Sequence, residues 1–156
     1  MPQIGDPAPG FALYNTEKKL VNLSDLRGKN VLLLFVPYAF TGTCTKELCS
    51  VRDDIAWFDG MNAVVFGIAV DTPYSLAKWK EEQKLNMDLL SDFNREAMTA
   101  YDTMYDVFGA FQYRGVAKRS AFVIDKEGIL RYTEILENAG DIPDFGKIKA
   151  CLEGLN

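Results

Sequence analysis

The chain has 156 residues, 48% of them hydrophobic and 25% charged, the composition of an ordinary globular domain with enough mass for a full core. Its 17 basic and 22 acidic side chains leave a net charge of −5, which argues against nucleic acid or an anionic membrane as the main partner. With three cysteines and no histidine, neither a secreted disulfide framework, nor a Cys–His dyad, nor a well-supplied tetrahedral metal site is expected. No basic segment followed by an apolar one marks a secretory signal. No apolar run approaches the roughly 20 residues of a membrane span. The expectation is one cytoplasmic domain covering residues 1–156.

Residues 1–10, MPQIGDPAPG, read as an irregular lead-in rich in proline and glycine. Phe11–Tyr14 and Lys19–Asn22, separated by Asn15-Thr16-Glu17-Lys18, form a short hairpin, and Ser24–Gly28 fits one helical turn ended by glycine. The apolar run from Val31 to Pro37 is a buried strand. After a turn carrying Thr41 and Gly42, Leu48, Val51, Ile55 and Phe58 recur at helical spacing, with Lys46, Glu47, Arg52, Asp53 and Asp54 between them.

Ala63–Val70 is apolar almost throughout, as in a strand covered on both faces of a parallel sheet. Asp71-Thr72-Pro73 starts a helix that runs to about Leu85. Met87–Leu90 reads as a short strand and Asn94–Tyr105 as a helix whose stripe continues to Phe108. Phe111–Lys118 is an aromatic and basic loop. Arg119–Asp125 and Ile129–Ile135 flank Lys126-Glu127-Gly128 as a second hairpin, and Asp144–Leu155 is a terminal helix. Strands alternating with helices, then a hairpin and a helix, indicate an α/β sandwich with a mixed sheet.

Chemistry concentrates at Cys44, which the strand and turn deliver to the first turn of a helix, with Thr41 or Thr43 as candidate caps. Unpaired N–H groups and the helix dipole favour a thiolate there. A free thiol is only a few per cent ionised at neutral pH, and making it largely ionised takes roughly 2.7 kcal/mol. A helix terminus commonly contributes only about 0.3–1 kcal/mol. Without histidine, a second cation is required. Cys49, five residues on, would lie about 8–9 Å from Cys44 between Cα atoms in an intact helix, beyond the roughly 7 Å that a disulfide tolerates. Either Cys49 is a small side chain beside the apolar stripe, or the pair reacts only after the first turns unwind. Cys151 borders the inward face of the last helix as a core residue.

Pro37, Thr41 and Cys44 reproduce the P-x-x-x-T-x-x-C pattern of peroxiredoxins, with Glu47 at a position that family often fills with glutamate. Asp6–Phe11, Leu89-Leu90-Ser91-Asp92 and Arg119 before Ala121–Asp125 are similar to its opening, its L-L-S-D segment and its arginine strand. The chain resembles the peroxiredoxin family over essentially its whole length. Its loop and arginine region resemble the E-type alkyl hydroperoxide reductases, whereas Cys49 stands where the Q-type, or bacterioferritin-comigratory, group has a resolving cysteine.

The resemblance implies a thioredoxin-like fold, in which a central mixed sheet is flanked by helices and extended by the N-terminal hairpin. It also implies reduction of hydrogen peroxide and organic hydroperoxides with no metal or organic cofactor. Cys44 would attack the peroxide, Thr41 would hydrogen-bond at the site, and Arg119 would supply the positive charge. Pro37 would shield the sulfur and Glu47 would orient an arginine. Cys49 would resolve the sulfenic acid, with thioredoxin, glutaredoxin or a low-molecular-weight thiol as reductant, in a monomer or homodimer. The alternatives are a one-cysteine peroxidase recycled by external thiols and a non-enzymatic redox sensor or holdase. For each site residue the plainer role is structural: a cap for Thr41, a strand stop for Pro37, an ion pair for Glu47 and Arg119.

Overall fold

A computed structural model describes residues 1–156. In chain order it contains strands β1 (Ala12–Asn15), β2 (Leu20–Asn22) and β3 (Asn30–Phe35), helices α1 (Gly42–Asp53) and α2 (Ile55–Gly60), β4 (Ala63–Ala69), α3 (Pro73–Gln83), β5 (Asp88–Ser91), α4 (Glu96–Ala100), β6 (Ser120–Ile124), β7 (Leu130–Ile135) and α5 (Phe145–Gly154). One seven-stranded sheet runs β2-β1-β5-β4-β3-β6-β7. β3, β4 and β5 are parallel, while β6, β7 and the β1–β2 hairpin join antiparallel. This is the mixed α/β sheet with a hairpin extension that the sequence implies.

All six residues of β3 are buried, and their alternation divides the core in two. Leu32 and Leu34 face Leu48 and Val51 of α1, Leu76 and Trp79 of α3, and Ile148 and Leu152 of α5. Val31, Leu33 and Phe35 face the opposite layer with Met98, Tyr101 and Phe122. Gly67 of β4 lets α1 approach closely, since a Cβ there would meet Leu89 Cδ2 at 2.8 Å and Leu48 Cδ1 at 3.1 Å. No helix is long and apolar enough to cross a membrane.

Three elements depart from the sequence reading. The helix expected to run from Cys44 through Phe58 breaks at Asp54 (φ −120°, ψ 15°), whose carboxylate is held by Lys149 of α5. The helix expected over Asn94–Tyr105 shrinks to Glu96–Ala100. Buried Asp92 accepts the Ala97 and Met98 N–H groups at its start, and Thr103 beyond its end bonds Ser120 Oγ at 2.9 Å. Met104 and Phe108 therefore leave the helical stripe and pair with Ala117 and Tyr113 in an irregular loop. Finally, neither Thr41 nor Thr43 caps α1. The Thr41 hydroxyl donates instead to the Tyr38 carbonyl at 3.1 Å.

Candidate active site

β3 ends at Phe35, and Val36 continues the pairing by bonding Ile68 O at 2.9 Å. Pro37 cannot donate to a further ladder bond, and the chain turns through Phe40 at φ +66° into Thr41 and α1. Thr45 N–H closes the first helical bond on Thr41 O at 3.0 Å. The N–H groups of Gly42, Thr43 and Cys44 have no acceptor within the protein. They are unpaired donors at the positive end of a 12-residue helix.

Cys44 lies in this first turn, fully buried. Antiparallel pairing of β3 with β6 sets Phe35 opposite Ser120, which brings Arg119 to the same end of the sheet. Arg119 Nη2 donates to Cys44 Sγ at 3.3 Å and Nη1 to Glu47 Oε1 at 3.2 Å. Its Nε and Nη2 also bond the Ala139 carbonyl at 3.3 and 3.0 Å. The structure thus brings together Cys44, Arg119 and Glu47, three of the sequence-derived candidates, in one buried cluster. Glu47 is wholly buried and its Oε2 has no partner. Burial pushes its carboxyl up to about 7, with the Arg119 guanidinium working against that rise.

A cavity of about 270 Å³ opens over the cluster, lined by Pro37, Tyr38, Thr41, Gly42, Thr43, Phe108, Arg119, Ala139 and Gly140. Pro37 and Thr41 belong to this wall. A larger cavity of about 590 Å³, bordered by Lys29, Asp59, Asn62 and Asp88, contains none of the candidate residues. The sequence reading missed Tyr38, Phe108 and the Ala139 carbonyl. Tyr38 packs edge-on against Phe108 with ring centroids 5.7 Å apart. Burial pushes its phenol up, aided by Tyr113, Cys44 and Asp71. An aromatic next to Pro37 was the only available signal for Tyr38, and a backbone acceptor such as Ala139 leaves no sequence signal.

Cys49 is half-buried on the same helix and donates to Gln83 Oε1 of α3 at 3.7 Å, away from the Cys44 cavity. All three cysteines are free thiols. Cys151 packs against the core from α5, and burial pushes its thiol up, opposed by Arg131.

A thioredoxin-like sheet that presents a buried cysteine at a helix N-terminus beside a guanidinium defines a thiol-centred redox protein. The AhpC/TSA family model matches residues 4–133. A Haemophilus influenzae relative named for the peroxiredoxin bcp is 38% identical over 128 residues, 81% of this chain and 82% of its own. Alkyl hydroperoxide reductase E of Mycobacterium bovis is 37% identical over 145 residues, 92% of each chain. Among solved structures, peroxidoxin BcpB from Mycobacterium tuberculosis aligns with a TM-score of 0.87 at 28% identity, covering 100% of this chain and 99% of its own. The chain belongs to the AhpC/TSA family of peroxiredoxins and is a thiol-dependent peroxidase.

Proposed function

We propose that Cys44 is the peroxidatic nucleophile and Cys49 its resolving partner. The observation that carries the nucleophile is the 3.3 Å contact from Arg119 Nη2 to Cys44 Sγ beneath an open cavity, and Cys49 takes its role from its resemblance to the Q-type resolving position. A peroxide enters with its terminal oxygen toward the sulfur. The Cys44 thiolate attacks that oxygen, an S–O bond forms and the O–O bond breaks, and the departing alkoxide or hydroxide takes up a proton. The free N–H groups at the start of α1 and the Arg119 fork face the charge that develops on oxygen. Because the Thr41 hydroxyl gives its proton to Tyr38 O, its lone pairs are left to accept the hydroperoxide O–H. Pro37 keeps water from the sulfur, and Glu47 holds the Arg119 fork. Cys49 then displaces the sulfenic oxygen, and thioredoxin, glutaredoxin or a small thiol reduces the resulting disulfide.

Mass spectrometry after one equivalent of hydrogen peroxide tests the assignment. A Cys44–Cys49 link is expected in the wild type. Cys49→Ser should consume about one equivalent and stall as a sulfenic acid, and Cys44→Ser should consume none. Peroxide turnover by Cys44→Ser at the wild-type rate would overturn the nucleophile. Cys44 joined to Cys151 or to an added thiol, with Cys49 unlinked, would overturn Cys49 as the resolving partner.

A further inference from the structure

α1 is gripped along one stripe by α3. Thr45, Cys49 and Arg52 recur at i, i+4 and i+7 and so share a helix face. Each is bonded to α3 or to the loop that follows it. Trp79 Nε1 donates to Thr45 Oγ1 at 3.1 Å, Cys49 Sγ to Gln83 Oε1 at 3.7 Å, and Arg52 Nη1 to Gln83 O at 2.6 Å. Asn86 Nδ2 donates to Arg52 O at 3.2 Å. Gln83 thus carries two of the four bonds, one from its side chain and one from its backbone.

The two helices are not equally anchored. In α3 the Thr72 side chain caps the start and Lys84 closes the end in a left-handed conformation, with Leu76 and Trp79 buried between. α1 has no side-chain cap and no acidic residue in its first turn, and a left-handed Phe40 precedes it. Its first turn lacks such anchors, and the α3 stripe holds it folded together with the Arg119 bonds to Cys44 and Glu47. Five helical residues place Cys49 about 140° around the axis from Cys44. One thiol consequently faces Arg119 while the other faces Gln83.

We propose that Gln83 is a positioning residue that parks the Cys49 thiol on α3 and thereby sets how fast Cys49 reaches an oxidised Cys44. The inference rests on the two-cysteine reading above. In the step concerned, Cys49 loses its thiol proton and attacks the Cys44 sulfenic sulfur, an S–S bond forms and the S–O bond breaks. The hydroxide released takes up the proton as water. No other oxidant enters, because peroxide has already oxidised Cys44. While Cys49 is held, a second peroxide competes by oxidising the sulfenic acid to the sulfinic acid. The grip of Gln83 therefore fixes the ratio of resolution to over-oxidation.

The test is a hydrogen peroxide pulse on the full-length wild type, Gln83→Met, Gln83→Glu and Thr45→Val, quenched at intervals and read by mass spectrometry. Sulfenic, sulfinic and disulfide forms are counted separately. Removing one such hydrogen bond should speed disulfide formation about fivefold in Gln83→Met and comparably in Thr45→Val. The sulfinic fraction at excess peroxide should fall in step, with formation of the sulfenic acid unchanged. Gln83→Glu keeps an acceptor for the thiol and should be no faster than the wild type. Gln83→Met resolving at the wild-type rate, or Gln83→Glu accelerating as much as Gln83→Met, would overturn the role of Gln83 while leaving the two-cysteine mechanism intact. A wild type that forms no Cys44–Cys49 bond sinks that mechanism and this inference together.

Discussion

Replacing Arg119 with methionine removes the guanidinium from Cys44 and Glu47 together, and the two losses have different signatures. At the sulfur, a charge-assisted bond of 3.3 Å disappears. Such bonds contribute about 1.5–3 kcal/mol, so the peroxide step should slow about 10- to 150-fold. At the carboxyl, fully buried Glu47 loses its only side-chain partner. Breaking a buried pair from one side costs about 3–5 kcal/mol of stability. Adding Glu47→Gln to Arg119→Met removes the stranded acid, so much of the stability should return while the peroxide step stays slow. Rapid-quench mass spectrometry of sulfenic acid formation and urea unfolding separate the two effects. A double variant that reacts with peroxide within threefold of the wild-type rate would refute the claim that this guanidinium drives the chemistry.

Glu47 also makes stability depend on pH in a defined direction. Its carboxyl holds a proton up to about 7 in the folded protein against an ordinary value of 4.5. The native state therefore binds more protons between those values, and stability should fall as pH rises through that window, by up to about 3 kcal/mol. The urea midpoint of Glu47→Gln should change less between pH 5 and pH 8 than that of the wild type; equal changes would contradict the assignment. Gly67→Ala places a methyl against Leu89 Cδ2 and Leu48 Cδ1 and should cost about 1–3 kcal/mol of unfolding free energy. An unshifted midpoint would mean that α1 does not rest on β4 as described.

The sequence was most informative where structure is set locally. The alternating and apolar runs that became β3, β4 and the β6–β7 hairpin, and the turn that delivers Cys44 to a helix start, depend on neighbours a few residues away. The misread helices depended on distant ones. Lys149 reaches Asp54 from α5, and Thr103 is tied to Ser120 seventeen residues later. The candidate site divides in the same way. Cys44 was legible from the strand–turn–helix pattern, whereas Thr41 reads there only as a cap and owes its place in the site to the family resemblance. The partner of the sulfur lies 75 residues away. From residue pattern alone, Arg119 was merely the first residue of a strand, and only the family resemblance marked it. The register of β3 on β6 decides that contact, and no helical or strand period encodes it.

The lack of histidine makes the sharing of Arg119 the central electrostatic fact of the site. One guanidinium serves two acids, a thiol through Nη2 and a carboxyl through Nη1. Were Glu47 fully ionised, its charge would offset much of the cation before the sulfur felt it. Burial prevents this, because a carboxyl pushed up to about 7 is in part protonated at neutral pH and still accepts through Oε1. The three groups form one bonded set. In that set Glu47 fixes the direction of the guanidinium fork while cancelling less of its charge than an exposed carboxylate would. The same burial leaves Oε2 without a partner, so the acid that holds the guanidinium beside the sulfur also makes the folded protein more dependent on pH.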